Sequence, residues 1–358
     1  MSKILISGYY GFDNLGDEAV LAGIIKLFKE IDSEIDITVL SANPEVTKNR
    51  YSVDSIDRTS LLNIISELAE ADLFVSGGGS LIQDVTGRLS IFYYLGLIWL
   101  AKLQGTKVSF YAQGVGPLNR KINRIMTGIT LKSIDHIGVR DRASAVFLSS
   151  IGLKENNVEL TADPVFALYN EKDVVRRKLH SRITIGISVR PWQADYIEEL
   201  GAGLSKLAQK YSCDFKIYPF HRGVDKSPSE KLKTILDSTT VSDVIIEELA
   251  EDPSKAVKQL KDTDLFLGVR LHSLIFALLN QIPFLAVSYD PKIDGLVSDI
   301  EFLNTLDIES LHRGDIYAEL EYLLENRYDF RKRLKNICLD KKDEVRKFAE
   351  SVLKEARL

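Results

Sequence analysis

The sequence feature that most constrains the fold is a regular alternation of short apolar strands with helical segments. In the first half, five runs rich in β-branched and aromatic residues predict strands at residues 4–7, 37–40, 73–76, 108–111 and 137–139. Helical spacing of apolar residues fills the intervals 17–30, 61–70, 89–104 and 123–132. Because strands joined by helices pair in parallel, this rhythm predicts an α/β fold with a mainly parallel sheet covered on both faces.

The rhythm lapses once and then repeats. Residues 161–178 are polar and charged, and a new strand is predicted at residues 183–188, with others near 215–218, 244–246, 265–267 and 284–287. A chain of 358 residues also suits two domains better than one. We therefore predict two Rossmann-like, doubly wound domains that face a cleft. They comprise residues 1–170 and 171–358, and the charged last helix has the length to pack back on the first domain.

Composition excludes several classes of protein. The formal net charge of -5 argues against nucleic acid as a partner, because no basic field is present to neutralise phosphates along a duplex. Cys213 and Cys338 match no disulfide framework and no zinc-ligand spacing, so we expect no metal and a reducing cytoplasm.

No membrane-spanning segment is predicted. The N-terminus begins with a strand and lacks the apolar region of a signal peptide. The longest apolar stretch, residues 91–101, is too short to span a bilayer and is expected to form a buried helix. No basic amphipathic helix stands out, so a weak peripheral membrane contact is left open and is not assigned to any segment.

The strongest candidate site is the stretch Gly268-Val269-Arg270-Leu271-His272-Ser273. It follows a strand and precedes a helix, and in open α/β sheets ligands bind beyond the carboxyl ends of the strands, where helix N-termini attract anions. A permanent cation beside a group that titrates near neutrality suits an anionic substrate that needs a proton. The alternative for His272 is a buried structural histidine.

The turn after the first strand places Asn14 and Asp17 at the same kind of edge. This turn lacks both the GxGxxG dinucleotide fingerprint and the P-loop motif, so neither NAD nor ATP is expected. The alternative is that its glycines only shape the turn and that Asp17 caps the following helix.

Two glycine-rich turns follow predicted strands. Gly78 and Gly79 lie in the run at residues 76–80, and a second run occupies residues 113–117. Consecutive glycines allow backbone amides to approach a ligand closely, although they equally permit close packing of the backbone.

Three further cations lie where predicted strands end. Arg140, or its neighbour Arg142, follows the strand at 137–139, with a surface Arg–Asp pair as the alternative. Arg190 follows the strand at 183–188, next to Trp192, which suits either sugar stacking or simple packing. Lys292 follows the strand at 284–287, where a solvated lysine is the alternative.

These motifs together resemble one protein family. The ordered set resembles the polysaccharide pyruvyl transferases, and most closely the CsaB type that modifies cell-wall polysaccharide. The segments that carry the resemblance, in order from residue 8 to residue 292, are Asn14-Leu15-Gly16-Asp17, Ser76-Gly77-Gly78-Gly79, Gln113-Gly114-Val115-Gly116-Pro117, Val139-Arg140-Asp141, Asp163-Pro164, Ser188-Val189-Arg190-Pro191-Trp192, Arg270-Leu271-His272-Ser273 and Tyr289-Asp290-Pro291-Lys292.

The resemblance implies a fold similar to the GT-B glycosyltransferases and a specific reaction. Pyruvate would pass from phosphoenolpyruvate to a sugar, typically N-acetylmannosamine, as a ketal, with release of phosphate. The family's RLH motif, which holds the donor, maps onto Arg270, Leu271 and His272, and its other basic residues map onto Arg140 and Lys292.

The residue types fit this chemistry. His272 is expected to donate a proton to the donor, the cations to hold its carboxylate and phosphate, and Asp17 to orient or deprotonate the acceptor. No cofactor is expected, and the acceptor would be a nucleotide-linked or lipid-linked sugar, handled in the cytoplasm or at the inner face of the membrane. The competing interpretations are a GT-B glycosyltransferase that uses a nucleotide sugar, and a catalytically silent sugar-binding protein.

Overall fold

The chain forms two compact units in a computed structural model, which describes residues 2–84, 90–174, 182–192 and 196–356. The first unit comprises Met1–Leu168 together with Asp340–Leu358, and the second comprises Tyr169–Leu339. Each unit contains one parallel sheet with helices, which confirms the predicted α/β class.

The first unit alternates strands and helices as the hydrophobic pattern predicts. Its strands are β1 (Lys3–Ser7), β2 (Asp36–Ser41), β3 (Asp54–Asp57), β4 (Leu73–Ser76), β5 (Gly79–Ile82), β6 (Lys107–Val115), β7 (His136–Val139) and β8 (Glu159–Leu160). Its helices are α1 (Leu15–Ile31), α2 (Pro44–Tyr51), α3 (Leu61–Glu70), α4 (Ser90–Gln104), α5 (Lys121–Leu131) and α6 (Arg142–Ser150). All strand pairs are parallel, in the order β3-β2-β1-β4-β6-β7-β8, and β5 pairs with β6 outside this path.

The second unit repeats the plan with six parallel strands in the order β11-β10-β9-β12-β13-β14. The strands are β9 (Ile183–Ser188), β10 (Cys213–Ile217), β11 (Val244–Ile246), β12 (Leu265–Gly268), β13 (Phe284–Ser288) and β14 (Thr305–Asp307). The helices are α7 (Tyr196–Lys210), α8 (Lys226–Thr239), α9 (Pro253–Gln259), α10 (Leu271–Leu279), α11 (Pro291–Ser298) and α12 (Arg313–Ala356), the last of which contributes residues to both units.

Each sheet has one point where the order of its strands reverses. In the first unit the chain moves from β1 out to β3 and returns at β4, so the reversal lies between β1 and β4. In the second unit it moves from β9 out to β11 and returns at β12. Open α/β sheets bind ligands at such reversal points, beyond the carboxyl ends of the strands. The loops after β1, β4, β9 and β12 are therefore where a site is expected.

Two local predictions were wrong in detail. The turn expected at residue 113 begins later, because Gln113 still belongs to β6 and its side chain, which is fully buried, donates from Nε2 to Ser76 O at 2.9 Å. Residues 91–101 form a helix but not a buried one, because Phe92 and Trp99 are 41% and 42% exposed. Among the described residues, no helix has both the length and the apolar content to span a bilayer.

The last segment of α12 is part of the core of the first unit. Phe348 is 1% exposed, its ring lies 4.8 Å from that of Tyr111, and a Cβ on Gly138 would lie 2.0 Å from its Cζ. The absence of a side chain at Gly138 therefore makes room for this ring beside β7.

Replacing Phe348 by alanine is expected to destabilise the first unit by about 3–5 kcal/mol, because a large buried ring is lost and its cavity is only partly filled. Urea unfolding, followed by fluorescence, measures the change. Lys347→Ala is the matched control on the same helix, since Lys347 is exposed and forms an i,i+4 surface pair with Asp343, and its effect should stay below about 0.5 kcal/mol. Equal effects of the two substitutions would contradict this packing.

Candidate active site

The loop after β1 and the glycine turn after β4 lie side by side in the first unit. Asn14 caps α1, because its side chain accepts a hydrogen bond from Gly16 N at 3.2 Å, and its Nδ2 donates to Asp17 Oδ2 at 2.5 Å. A Cβ on Gly79 would lie 3.0 Å from Asp17 Oδ1. The Asp17 carboxylate is thus placed between the two loops at the reversal point, while the helix cap is Asn14 and not Asp17.

Each glycine of the turn after β4 is explained by a different structural constraint. A Cβ on Gly77 would lie 2.4 Å from the hydroxyl of Tyr10, which is fully buried, and a Cβ on Gly78 would lie 2.7 Å from Val20 Cγ1. Gly79 has a φ of +97°, a left-handed conformation that favours glycine. Close packing therefore explains Gly77 and Gly78, and the backbone of Gly79 is the part of the turn that adjoins Asp17.

Arg140 is buried and paired within the first unit. Its side chain is 4% exposed, Nη1 lies 2.6 Å from Asp163 Oδ2, and Nη2 donates to Ser80 Oγ at 3.0 Å. A longer ion pair joins Arg140 Nε to Oδ2 of the neighbouring Asp141 at 3.9 Å, and Arg142 is exposed at the start of α6. The pairing with Asp163 means that any ligand of Arg140 would have to share the guanidinium with this carboxylate.

A second arginine of the first unit, Arg58, was not identified as a candidate site residue from the sequence. It follows β3 directly, and its guanidinium carbon lies 5.0, 4.6 and 5.6 Å from the ring centroids of Phe12, Tyr93 and Tyr94. Nη1 and Nη2 lie 3.4 Å from Gly8 O and Tyr94 Oη. Within the described residues Arg58 forms no ion pair, so its charge is offset only by rings and neutral oxygens.

Aromatic side chains make the Arg58 surroundings suited to a sugar. The rings of Tyr9 and Phe12 stack at 4.1 Å, and Tyr9 is 38% exposed. Burial raises the pKa of Tyr94 to about 12, so its hydroxyl stays neutral at physiological pH.

The sequence signal that could have located Arg58 is the strand before it. This strand was missed because Asp54-Ser55-Ile56-Asp57 is a polar edge strand with no buried residue.

In the second unit, Arg270 is held by a buried carboxylate. Its Nε donates to Asp225 Oδ2 at 2.7 Å and its Nη2 pairs with Asp225 Oδ1. Asp225 is fully buried and also accepts hydrogen bonds from Phe220 N and His221 N, at 3.1 and 2.9 Å. Since a guanidinium has five N–H donors, this contact fixes the orientation of Arg270 and leaves donors on Nη1 for a second anion.

Arg270 is also the cap of α10, which places the two following residues in the first turn of that helix. Leu271 is 7% exposed, so its side chain belongs to the core and only its backbone remains for a ligand. His272 is the second residue of the helix and is partly exposed. The helix dipole makes this turn favourable for an anion.

Arg190 lies at the same reversal point, after β9. Its guanidinium carbon lies 4.2 Å from the ring centroid of Tyr289 and 5.6 Å from that of Trp192. The hydroxyl of Tyr196 accepts from Arg190 N at 2.9 Å and donates to Arg190 O at 2.6 Å, which fixes the backbone. Among the described residues, Arg190 forms no ion pair. Because Tyr289 follows β13, this contact reaches across the end of β12, where Arg270 and His272 lie.

Lys292 is in the first turn of α11. Its Nζ lies 3.0 Å from Asp290 Oδ2, and both side chains are about a quarter exposed. Asp290 caps α11 by accepting from Lys292 N at 3.1 Å. Such an exposed pair is weak, so Lys292 can exchange this partner for a ligand at little cost.

The arrangement suits a molecule with two anionic groups. In the second unit, Arg190, Arg270 and Lys292 follow three adjacent strands, β9, β12 and β13, and His272 lies two residues after Arg270 in the first turn of α10. The described residues contain no cluster of His, Cys, Asp and Glu that could hold a metal ion.

Comparison with known proteins gives both a family and a fold. A family model described as "Polysaccharide pyruvyl transferase" matches residues 14–291. The amylovoran biosynthesis protein AmsJ of Erwinia amylovora is 21% identical over 390 residues, which cover 90% of this chain and 92% of that protein.

Solved structures share the fold at low identity. A glycosyltransferase from Rickettsia africae aligns with a TM-score of 0.69 at 12% identity and covers 99% of this chain and 98% of its own. The UDP-GlcNAc 2-epimerase of Neisseria meningitidis, bound to UDP-GlcNAc, aligns with a TM-score of 0.68 at 14% identity over 99% and 100%. Anabaena HepE, in complex with UDP and glucose, gives 0.66 at 13% over 99% and 100%. These likenesses confirm the expected GT-B type of fold and leave the reaction undecided.

Proposed function

The chain belongs to the polysaccharide pyruvyl transferase family, and on that premise we propose that it transfers pyruvate from phosphoenolpyruvate to a sugar as a ketal, with release of phosphate. The observation that supports this proposal is the set of residues at the carboxyl ends of the strands of the second sheet. There Arg270, oriented by Asp225, follows β12 and Arg190, backed by Tyr289, follows the adjacent β9, while His272 lies in the first turn of the helix after β12. Phosphoenolpyruvate carries a carboxylate and a phosphate on one carbon, so it requires several converging cations.

The proposed reaction is an addition to the double bond of the donor followed by a substitution of its phosphate. His272, in its protonated form, donates a proton to the terminal methylene carbon of phosphoenolpyruvate, which becomes a methyl group. A sugar hydroxyl then attacks the electron-deficient C2 and passes its proton to Asp17. A second hydroxyl of the same sugar displaces phosphate at C2, which closes the ketal ring, and its proton returns to neutral His272. The proton on Asp17 leaves with the phosphate as hydrogen phosphate. Arg190, Arg270 and Lys292 stabilise the anionic groups throughout, so neither a metal nor a cofactor is required.

Acceptor binding is proposed for the first unit. Asp17, held by Asn14, orients or deprotonates the sugar, and the backbone of Gly79 adjoins it. Arg140 remains a proposed donor ligand that would share its charge with Asp163. The acceptor proposed is N-acetylmannosamine of a cell-wall polysaccharide precursor, as in the CsaB type, on a nucleotide or lipid carrier. The reaction would then take place in the cytoplasm, at or near the inner face of the membrane.

The test is acceptor-dependent phosphate release. Purified protein is incubated with phosphoenolpyruvate and a panel of UDP-linked and lipid-linked N-acetylhexosamines, and phosphate is measured over time. The proposal predicts release only when both donor and acceptor are present. Release of UDP from a nucleotide sugar without phosphoenolpyruvate would instead establish a GT-B glycosyltransferase, and the absence of any turnover would favour a sugar-binding protein.

Replacing Arg190 by methionine is expected to raise KM for phosphoenolpyruvate about 10- to 100-fold, because a charge-assisted hydrogen bond contributes roughly 1.5–3 kcal/mol. Methionine retains most of the apolar contact with Tyr289. The control is Arg222→Met, which removes an arginine paired with Glu251 at 2.7 Å in the same unit, and it should leave KM unchanged. If both variants behave alike, Arg190 is not a donor ligand.

A further inference from the structure

Helices α4 and α5 of the first unit present a row of large apolar side chains to solvent. Six residues form what we call the α4–α5 face: Phe92, Trp99, Leu103, Ile122, Ile125 and Ile129, with exposed fractions from 41% to 81%. Trp99 Nε1 donates to Thr130 Oγ1 at 2.9 Å, which joins the exposed row of α4 to α5 beside Ile129. Large exposed apolar side chains grouped on neighbouring helices are typical of a binding surface.

The row on α4 is uninterrupted. Phe92, Gly96, Trp99 and Leu103 recur at helical spacing, and a Cβ built on Gly96 meets no atom within 4 Å. On α5, Ile122, Ile125 and Ile129 recur in the same way. The face therefore consists of an apolar row on each of the two helices, joined by the contact between Trp99 and Thr130.

The two helices that form this face carry only positive charges. Neither α4 nor α5 contains an acidic residue, and Arg120, Lys121, Arg124 and Lys132 are exposed in or beside α5. The nearest acids along the chain are engaged: Asp135 pairs with Lys102 at 3.1 Å, and Asp84 accepts from Arg120 N at 2.9 Å. The whole chain carries a net charge of -5, so this positive region is local.

The apolar and basic residues of the α4–α5 face together favour an anionic bilayer over a second copy of the chain as the binding partner. A second copy of the chain would bring the same patch against itself, so its four cations would oppose those of the partner in a symmetric interface. An anionic bilayer instead accepts aromatic and aliphatic side chains at the headgroup boundary and attracts Lys and Arg to its phosphates.

We propose that the α4–α5 face binds the surface of an anionic phospholipid bilayer. Phe92, Trp99 and the isoleucines of α5 enter the headgroup boundary, and the cations of α5 contact lipid phosphates. This inference goes beyond the reaction proposed above and does not depend on it.

Vesicle sedimentation with the full chain tests the proposal. The protein is mixed with vesicles of phosphatidylcholine alone, or with vesicles of phosphatidylcholine and phosphatidylglycerol in equal parts, at low and at physiological salt. The expected result is sedimentation with the anionic vesicles, weakened by salt, and little with the neutral ones. In two double variants, Ile125→Gln with Ile129→Gln and Lys121→Glu with Arg124→Glu, the partition coefficient should fall at least about tenfold.

Matched controls alter exposed residues elsewhere. Val241→Gln with Leu339→Gln removes comparable apolar surface, and Lys226→Glu with Lys347→Glu reverses comparable charge. Both should bind as the parent does, and all variants should keep the parent's thermal midpoint. The proposal is overturned if anionic vesicles do not sediment the protein or if the test and control variants bind equally. Self-association that is lost in the Ile125→Gln, Ile129→Gln variant would likewise overturn it, in favour of a second copy.

Discussion

Replacing His272 by glutamine is expected to lower kcat for phosphate release from phosphoenolpyruvate by about 100- to 10,000-fold, the range that a positioned general acid contributes. Glutamine retains a hydrogen-bond donor of similar reach but cannot deliver a proton at neutral pH. KM for phosphoenolpyruvate should change only a few-fold, because Arg190, Arg270 and Lys292 remain. Steady-state phosphate release at saturating acceptor measures both constants.

A second histidine of the same unit provides the control for His272. His312 precedes α12, and its Nδ1 accepts from Gly314 N at 3.1 Å. His312→Gln should therefore keep the parent's kcat. A kcat for His272→Gln within threefold of the parent's would assign the proton donor to another group and remove His272 from the mechanism.

Replacing Asp225 by alanine is expected to cost about 2–4 kcal/mol of stability and to lower kcat/KM for phosphoenolpyruvate at least about 100-fold. Removing one partner of a buried ion pair costs roughly 3–5 kcal/mol, and the partial exposure of Arg270 reduces this figure. The backbone N–H groups of Phe220 and His221 lose their acceptor as well. Without Asp225 the guanidinium of Arg270 no longer has a fixed orientation, so the donor is held less well.

A double substitution separates the two effects. Asp225→Ala with Arg270→Met removes both charges, so part of the stability should return while activity stays low. Asp214→Ala is the matched control, because Asp214 pairs with the half-exposed Arg182 and such a pair contributes about 0–1 kcal/mol. Urea unfolding and steady-state kinetics measure the outcome. Recovery of activity in the double variant would show that Arg270 does not hold the donor.

Much of the fold could be predicted from the sequence. Apolar runs identify the strands, and strands that alternate with helices along the chain pair in parallel. Strands β9 and β11 and helix α3 coincide with the predicted intervals, and the reversal points follow from the order of the strands. The predictions that failed concerned individual strands and helices. The polar edge strand β3 lacks an apolar pattern, and α4 is apolar all round although one side faces solvent.

The sequence was sufficient to locate the candidate site but not to predict the contacts between its residues. The position of Arg270 and His272 between a strand and a helix was visible in the sequence, because that boundary is local. The partner of Arg270 is 45 residues away and that of Arg140 is 23 residues away, so neither pairing could be derived from spacing. Arg58 was missed because the polar strand before it has no apolar pattern, and its aromatic neighbours come from a loop and a helix distant in the chain.

The most direct test of the proposed reaction is the fate of the carbon atoms of the donor. Phosphoenolpyruvate labelled with carbon-13 at C2 is incubated with the protein and the acceptor identified by phosphate release, and the sugar product is examined by NMR and mass spectrometry. We expect the label in the sugar as a ketal carbon, with a mass gain equal to pyruvate less one water. Label found only in free pyruvate or unreacted donor, while the acceptor stays unchanged, would contradict pyruvyl transfer by this chain.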